Sequence, residues 1–369
     1  MSLLRALIGV VRSAQYTPRP AAGFVPDDDV LLDAPDERLA PALVAAALAD
    51  PEPAAKLLAT TRDAGEWEDR DRYVTRLATF AYSRGDWLTH WLSAAPRDPD
   101  ALLVTAQLAV RRAWDSPARA ERLRELGPLV HAVAENAPHD PVPWRLALDH
   151  ARGAHAGHGV FESLWEQAVR RSPHHYGSHV AAVKYLSAQW YGSHRAAFDF
   201  AEQAADDAAP HSLVRALPVR AAYDRLRVPP LRDPAVPEAR VDRAADRALA
   251  LSAAFPAGDP WPAEVRNLLA YVLIERARWE EAREEFRRIG AHATSFPWGA
   301  GRGAGPGAGP GATRGSGGLA PGAGPEAVRE DPLRSFLAAR DRAGGGAARR
   351  GPFRGAGGGR AGRGAPGGH

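Results

Sequence analysis

The sequence predicts an all-α fold: an α-α superhelix, a solenoid of antiparallel helix pairs, with a disordered Gly/Arg-rich C-terminal tail. Three observations carry that prediction. A short Ala/Ser-Pro turn followed by polar residues recurs at Ala95-Pro96-Arg97-Asp98, Ala137-Pro138-His139-Asp140, Ser172-Pro173-His174-His175 and Ala209-Pro210-His211-Ser212, with its prolines 42, 35 and 37 residues apart. Each interval has room for two helices, and a fixed period in this range marks a helix-pair solenoid. No stretch sustains the alternation of β-branched residues that a strand needs, so almost no sheet is expected.

Residues 1–36 read as a short helix and an extended lead-in. Met1 to Arg12 is apolar but short, which suits a helix docking on the first repeat, with a weak membrane-surface contact as the alternative. The repeat domain is expected over 37–298 and opens with Leu39, Leu43 and Leu48 among alanines. Asp50-Pro51, Asp98-Pro99, Ser116-Pro117 and Asp140-Pro141 each mark a helix start: the side chain caps free N–H groups and proline fits the first turn. Asp86 is expected to cap a short helix carrying Trp87 and Trp91. Glu66 to Ser83 is amphipathic, with Trp67, Tyr73, Leu77, Phe80 and Ala81 close to one face. Further helices are read over 211–228, 238–254 and 262–290, with a break at Pro229, Pro230, Pro234 and Pro237. Residues 299–330 form a Gly/Pro/Ala low-complexity linker, and 331–342 a helix that docks through Leu333, Phe336 and Leu337. Residues 343–369 form the tail, too poor in apolar residues to bury a core.

The net charge of +3 hides two different regions. Residues 299–369 hold 24 of the 36 glycines and 11 arginines against 4 acidic residues. The remainder carries 36 basic and 40 acidic residues, so the body is mildly acidic and its charge does not point to a nucleic-acid-binding fold. The chain has no cysteine, which excludes disulfides, thiolate nucleophiles and zinc-thiolate sites. With no apolar run of transmembrane length, a cytoplasmic location is expected. Lysine occurs only at Lys56 and Lys184. The Arg, Ala, Gly and Pro content fits coding from a GC-rich genome, such as an actinobacterium's.

Tyr176-Gly177-Ser178-His179 is repeated as Tyr191-Gly192-Ser193-His194, and each serine is expected to cap its own helix. His175, Tyr176, His179, Trp190, Tyr191 and His194 form the candidate binding surface. His150, His155 and His158 cluster on one turn, but no His-Glu-x-x-His or other converging ligand spacing is present, and no metal site is expected. Neither a phosphate-cradling Gly-x-x-x-x-Gly-Lys nor a Gly-x-Ser-x-Gly elbow occurs, so no catalytic residue and no cofactor are assigned. The carboxylates Glu66/Glu68 and Glu280/Glu281/Glu284/Glu285 read as solvated faces.

Residues 263–290 resemble a tetratricopeptide repeat: Leu269 and Ala270 fit the first helix, and Trp279, Ala282, Phe286 and Ile289 fit the second. Leu273 replaces the usual tyrosine, and the terminal proline is missing. Trp144, Ala147, Leu148, Trp165, Ala168 and Pro173 fit a second unit with one inserted residue. The units around Pro96 and Pro210 match in spacing and pattern only, so the resemblance spans 37–290 and is specific in two units. It implies a right-handed superhelix whose concave face binds a peptide or protein. The expected function is a non-enzymatic interaction module or scaffold. Two alternatives stand beside it: nucleic-acid or polyanion association through Arg349-Arg350, Arg354, Arg360 and Arg363 of the tail, and an enzyme with a His/Tyr site near 174–194.

Overall fold

The computed structural model of the chain describes residues 23–227, 235–299 and 331–349, with side chains to 346. The expectations for Met1–Arg12, for residues 13–22, for the break at Pro229, Pro230 and Pro234, for the linker over 300–330 and for the tail beyond Arg349 lie outside these residues.

Among the described residues the protein is all-α. The helices are α1 (Leu39–Ala47), α2 (Glu52–Ala64), α3 (Trp67–Ser83), α4 (Asp86–Ala94), α5 (Pro99–Trp114), α6 (Arg119–Glu125) and α7 (Gly127–Glu135). They continue as α8 (Val142–Gly153), α9 (His158–Arg171), α10 (Tyr176–Tyr185), α11 (His194–Asp207), α12 (Leu217–Arg227), α13 (Glu238–Ala253), α14 (Ala263–Glu275) and α15 (Trp279–Ile289). A single turn, α16 (Ser295–Trp298), and the long α17 (Pro332–Arg349) end the series. None of these helices is long and apolar enough to cross a membrane.

Several helix starts show how local sequence sets the elements. Asp98 accepts from the N–H of Asp100 and Ala101 at 2.9 and 3.0 Å, with Pro99 as the first helical residue, a cap worth about 1 kcal/mol. Asp140 accepts from Val142 N at 2.8 Å and Asp331 from Leu333 N at 3.0 Å. Asp86 does not cap: it is the first residue of α4, whose preceding Gly85 brings the chain in with no side-chain bond. Ser193 caps α11 through Ala196 N at 3.0 Å. Ser178 lies inside α10, because that helix starts two residues earlier at Tyr176, where another helix supplies the cap.

The helices pack as adjacent pairs: α8 with α9, α10 with α11, α12 with α13 and α14 with α15. The first helix of each pair also packs on the first helix of the next, giving a row α3, α5, α8, α10, α12, α14. Buried alanines such as Ala101, Ala106, Ala147, Ala181, Ala221 and Ala270 let these backbones approach closely. Trp87, Tyr73, Phe198, Tyr223 and Phe286 fill the spaces between pairs, and each such side chain contributes about 1.5–3 kcal/mol by leaving water.

The two ends of the array are tied together. Leu31 and Leu32 form a parallel two-residue ladder with His292 and Ala293. Asp33 accepts from Arg76 of α3 at 3.2 Å and from the N–H of Ser295 at 3.0 Å. Helix α17 packs on α15 and α16, and Arg340 reaches back to pair with Asp27 and donate to Val25 O. Phe336 is fully buried there, edge-on to Phe286 at 5.2 Å and to Trp298 at 5.7 Å, with Leu333 and Leu337 against the same cluster.

Phe336→Ala is therefore expected to lower the free energy of chemical unfolding by about 3–5 kcal/mol. Arg334→Ala, one exposed position on the same helix, is expected to stay within about 0.5 kcal/mol of the parent. Equal, small effects from both would show that α17 does not belong to the cooperative core.

Candidate functional site

The six residues singled out by the repeated tetrapeptide fall into separate environments. His175, Tyr176 and His179 sit at the start of α10 and are buried. His175 Nδ1 shares a hydrogen bond with Ser178 Oγ at 2.8 Å, and its Nε2 lies 3.6 Å from Asp71 Oδ2. Ser178, His175 and Asp71 thus stand in line like a nucleophile, base and orienting acid. However, Ser178 is wholly buried, and the Asp71 carboxylate fills the space a side chain at Gly177 would take. This line clamps α3 to α10 and leaves no place for a substrate. His179 Nδ1 donates to His175 O at 2.9 Å, with its ring edge-on to Trp165.

Trp190 and Tyr191 lie past the other end of α10, a ten-residue helix about 15 Å long. Tyr191 OH is 2.7 Å from His155 Nδ1, and Tyr185 OH 2.8 Å from His158 Nδ1, with the two phenol rings stacked at 4.7 Å. Trp190 packs edge-on to Trp114 at 5.6 Å, and the Arg152 guanidinium lies over both indoles. His194 is buried as the first residue of α11.

A different set of side chains is gathered on the row of first helices. Arg145, Asp149 and Arg152 of α8 share the spacing of Arg220, Asp224 and Arg227 of α12, i, i+4 and i+7, which puts each trio on one helix face. Lys184 of α10 falls between them: it lies eleven residues after Pro173, as Asp149 lies eleven after Pro138. Lys184 is thus set among Asp149, Arg152, Arg220 and Asp224, whose charges act on it or respond to it.

This face combines deep burial with unmet hydrogen-bonding capacity. Asp224 is 2 % exposed, yet neither carboxylate oxygen has a partner. Arg152 donates to Asp149 at 3.0 Å, while its Nε and Nη1 are buried without an acceptor. Arg220 Nε is likewise unmatched, and its Nη1 reaches Glu264 at 3.4 Å. Lys184 is partly open, and Glu264 is half exposed, so the face reaches solvent on that side.

The electrostatics follow from this placement. Burial raises the Asp224 carboxyl to about 6 against the pull of Arg220, Lys184 and Arg152. Burial also pushes Asp149 up, but Lys184, Arg152 and Arg145 outweigh it and hold that carboxyl at about 2. Burial, helped by Arg220, lowers the Lys184 ammonium to about 8. A buried site whose acid and base are both drawn toward neutral pH is a functional-site signature.

Two groups of carboxylates read as solvated are corrected here. Glu68 is half-buried and accepts from Tyr176 N at 2.7 Å, capping α10 from 108 residues away, and the partial burial raises its carboxyl to about 7. Glu285 is 1 % exposed, accepts from Ser252 Oγ at 2.6 Å, and is raised to about 7 by burial. In both cases a polar helix face is covered by another element, which helical periodicity does not reveal.

A second feature lies away from this face. A cleft of about 320 Å³ opens at the tag Ala137-Pro138-His139-Asp140, with Trp67, Leu102, Leu103 and Val133 among its walls. Arg70 also borders it, bound to Asp100 and Asp140 at 2.6 Å each. Comparison with protein-family models, with curated proteins and with solved structures finds no match for this chain.

Glu68 gives a pH signature with a defined sign. Its carboxyl has an ordinary value of 4.5 and a folded value of about 7, so between these the folded chain holds the proton more tightly and stability falls as pH rises. Glu68→Gln keeps an acceptor for Tyr176 N and removes the proton. The variant is expected to match the parent near pH 4.5 and to gain on it steadily toward pH 7 in denaturant titrations. Parallel profiles would exclude Glu68 as the titrating group.

Proposed function

We propose that this chain is a non-enzymatic binding module, a tetratricopeptide-like superhelix of helix pairs that serves as a cytoplasmic scaffold. The row of first helices is its inner face, and that face holds a segment of a protein or peptide. The observation behind this reading is the set of unmatched polar atoms on α8 and α12: both oxygens of Asp224 and N–H groups of Arg152 and Arg220. Each buried group left without a partner costs about 1–3 kcal/mol. Arg70, by contrast, is closed by Asp100, Asp140 and Leu58 O, and residues elsewhere such as Arg340 and Glu285 leave a single atom unmatched, whereas Asp224 and Arg152 each leave two. Groups kept open at such a cost are suited to a ligand that completes them.

The test is selection of a random peptide library on the full chain, with Arg220→Met as the counter-target. Peptides that bind the parent and lose at least about tenfold affinity on the variant, about 1.4 kcal/mol, are the expected result. No enrichment, or enrichment indifferent to Arg220, would overturn this reading.

A further inference from the structure

The face shared by α8, α10 and α12 has a chemistry narrower than charge alone. Three cations, Arg152, Lys184 and Arg220, come to it from three successive first helices. Arg152 and Arg220 bring buried N–H groups with no acceptor. Their number and their origin on three neighbouring helices suit an anion that accepts several hydrogen bonds at once. The acidic groups divide between them. Asp149 is bound to Arg145 and Arg152, and Glu264 to Arg220. Asp224 stands apart, buried with two oxygens that accept nothing. A fully deprotonated anion would meet this carboxylate with repulsion. An anion that still carries one acidic proton would donate to it instead.

We infer that this face binds phosphate, with Arg152, Lys184 and Arg220 donating to its oxygens and Asp224 accepting the P–OH proton of the monoanion. Phosphate monoesters lose their second proton near pH 6, so at pH 7 about a tenth carries the required proton, and Asp224 would select that form. Sulfate has the same shape and no such proton. A buried acceptor left unmatched by sulfate discriminates strongly between the two. The inference rests on the proposed binding function only for the source of the phosphate, which there is a phosphorylated side chain of the bound segment; free inorganic phosphate has the same chemistry.

Isothermal titration of the full chain with inorganic phosphate, and separately with sulfate, in chloride of matched ionic strength tests the site. Saturable phosphate binding at least about tenfold tighter than sulfate is expected, the size of effect a single unmatched buried acceptor supports. Lys184→Met is expected to weaken phosphate by a similar factor with unchanged circular dichroism. Asp224→Asn removes the charge and turns one of the two acceptor oxygens into an N–H donor, and is expected to narrow the gap between the two anions. Should Lys184→Met fail to fold, the phosphate-to-sulfate ratio in Asp224→Asn decides. Equal response of the parent to both anions, or an unchanged ratio in Asp224→Asn, overturns the site.

A phosphoserine peptide and its unphosphorylated twin separate the sources. Tighter binding of the phosphopeptide than of inorganic phosphate supports both the site and the held segment. Phosphate bound with no gain from any peptide keeps the site and removes the segment. Selected peptides that bind through Arg220 whether or not phosphate is present keep the segment and overturn the phosphate site.

Discussion

Five charged side chains of α3 end on five distant parts of the chain. Glu68 caps α10 at Tyr176, and Arg70 joins Asp100, Asp140 and the carbonyl of Leu58. Asp71 meets Arg145 and His175, Arg72 donates to Trp261 O at 2.9 Å, and Arg76 meets Asp33. A helix polar on several faces is ordinarily solvated. Here it stands at the head of the row, lies against α5, α8 and α10, and is covered from several sides. Buried ion pairs return little net stability, because desolvation offsets most of their attraction, but breaking one costs about 3–5 kcal/mol. What these contacts supply is direction. Each fixes a pair of helices that apolar packing alone would leave free to slide.

Local chemistry explains why the all-α character was legible in the sequence. Asp98 and Asp140 cap within three residues of themselves, so their signals survive in sequence order. The failures share one cause, which is cover from elsewhere in the chain. Ser178 does not cap because Glu68 does so from α3, and Glu285 is not solvated because α13 brings Ser252 over it. The verbatim repeat Tyr-Gly-Ser-His likewise has two different origins. Gly177 leaves room for the Asp71 carboxylate, and Gly192 for the carbonyl of Leu186. Identical letters therefore drew attention to positions whose surroundings have little in common. The charged face of α8, α10 and α12 carried its own signal, the Arg-x-x-x-Asp-x-x-Arg spacing at 145–152 and 220–227. That signal gains meaning only once the helices are set side by side in register.

Lys184 shows how the strut and the charged face depend on each other. It is one of two lysines among 47 basic residues, placed where the preceding first helix, α8, has Asp149 at the same distance from its proline tag. An arginine there would bring five N–H donors in a rigid fork and demand fixed acceptors, whereas a compact ammonium can share its charge between neighbours. Its neighbour Asp149 is held by Arg145 at 3.4 Å, and Arg145 in turn reaches Gln107 of α5 at 2.9 Å and Asp71 of α3. The chain of contacts from α3 thus runs to Asp149, whose charge acts on Lys184. The cover that α3 provides also removes water from this face, which strengthens every interaction made there. The packing of α3 and the setting of this charged face are linked through Asp71, Arg145 and Asp149. A ligand that completed Asp224 would act on Lys184 and Arg152, the same charges that hold Asp149.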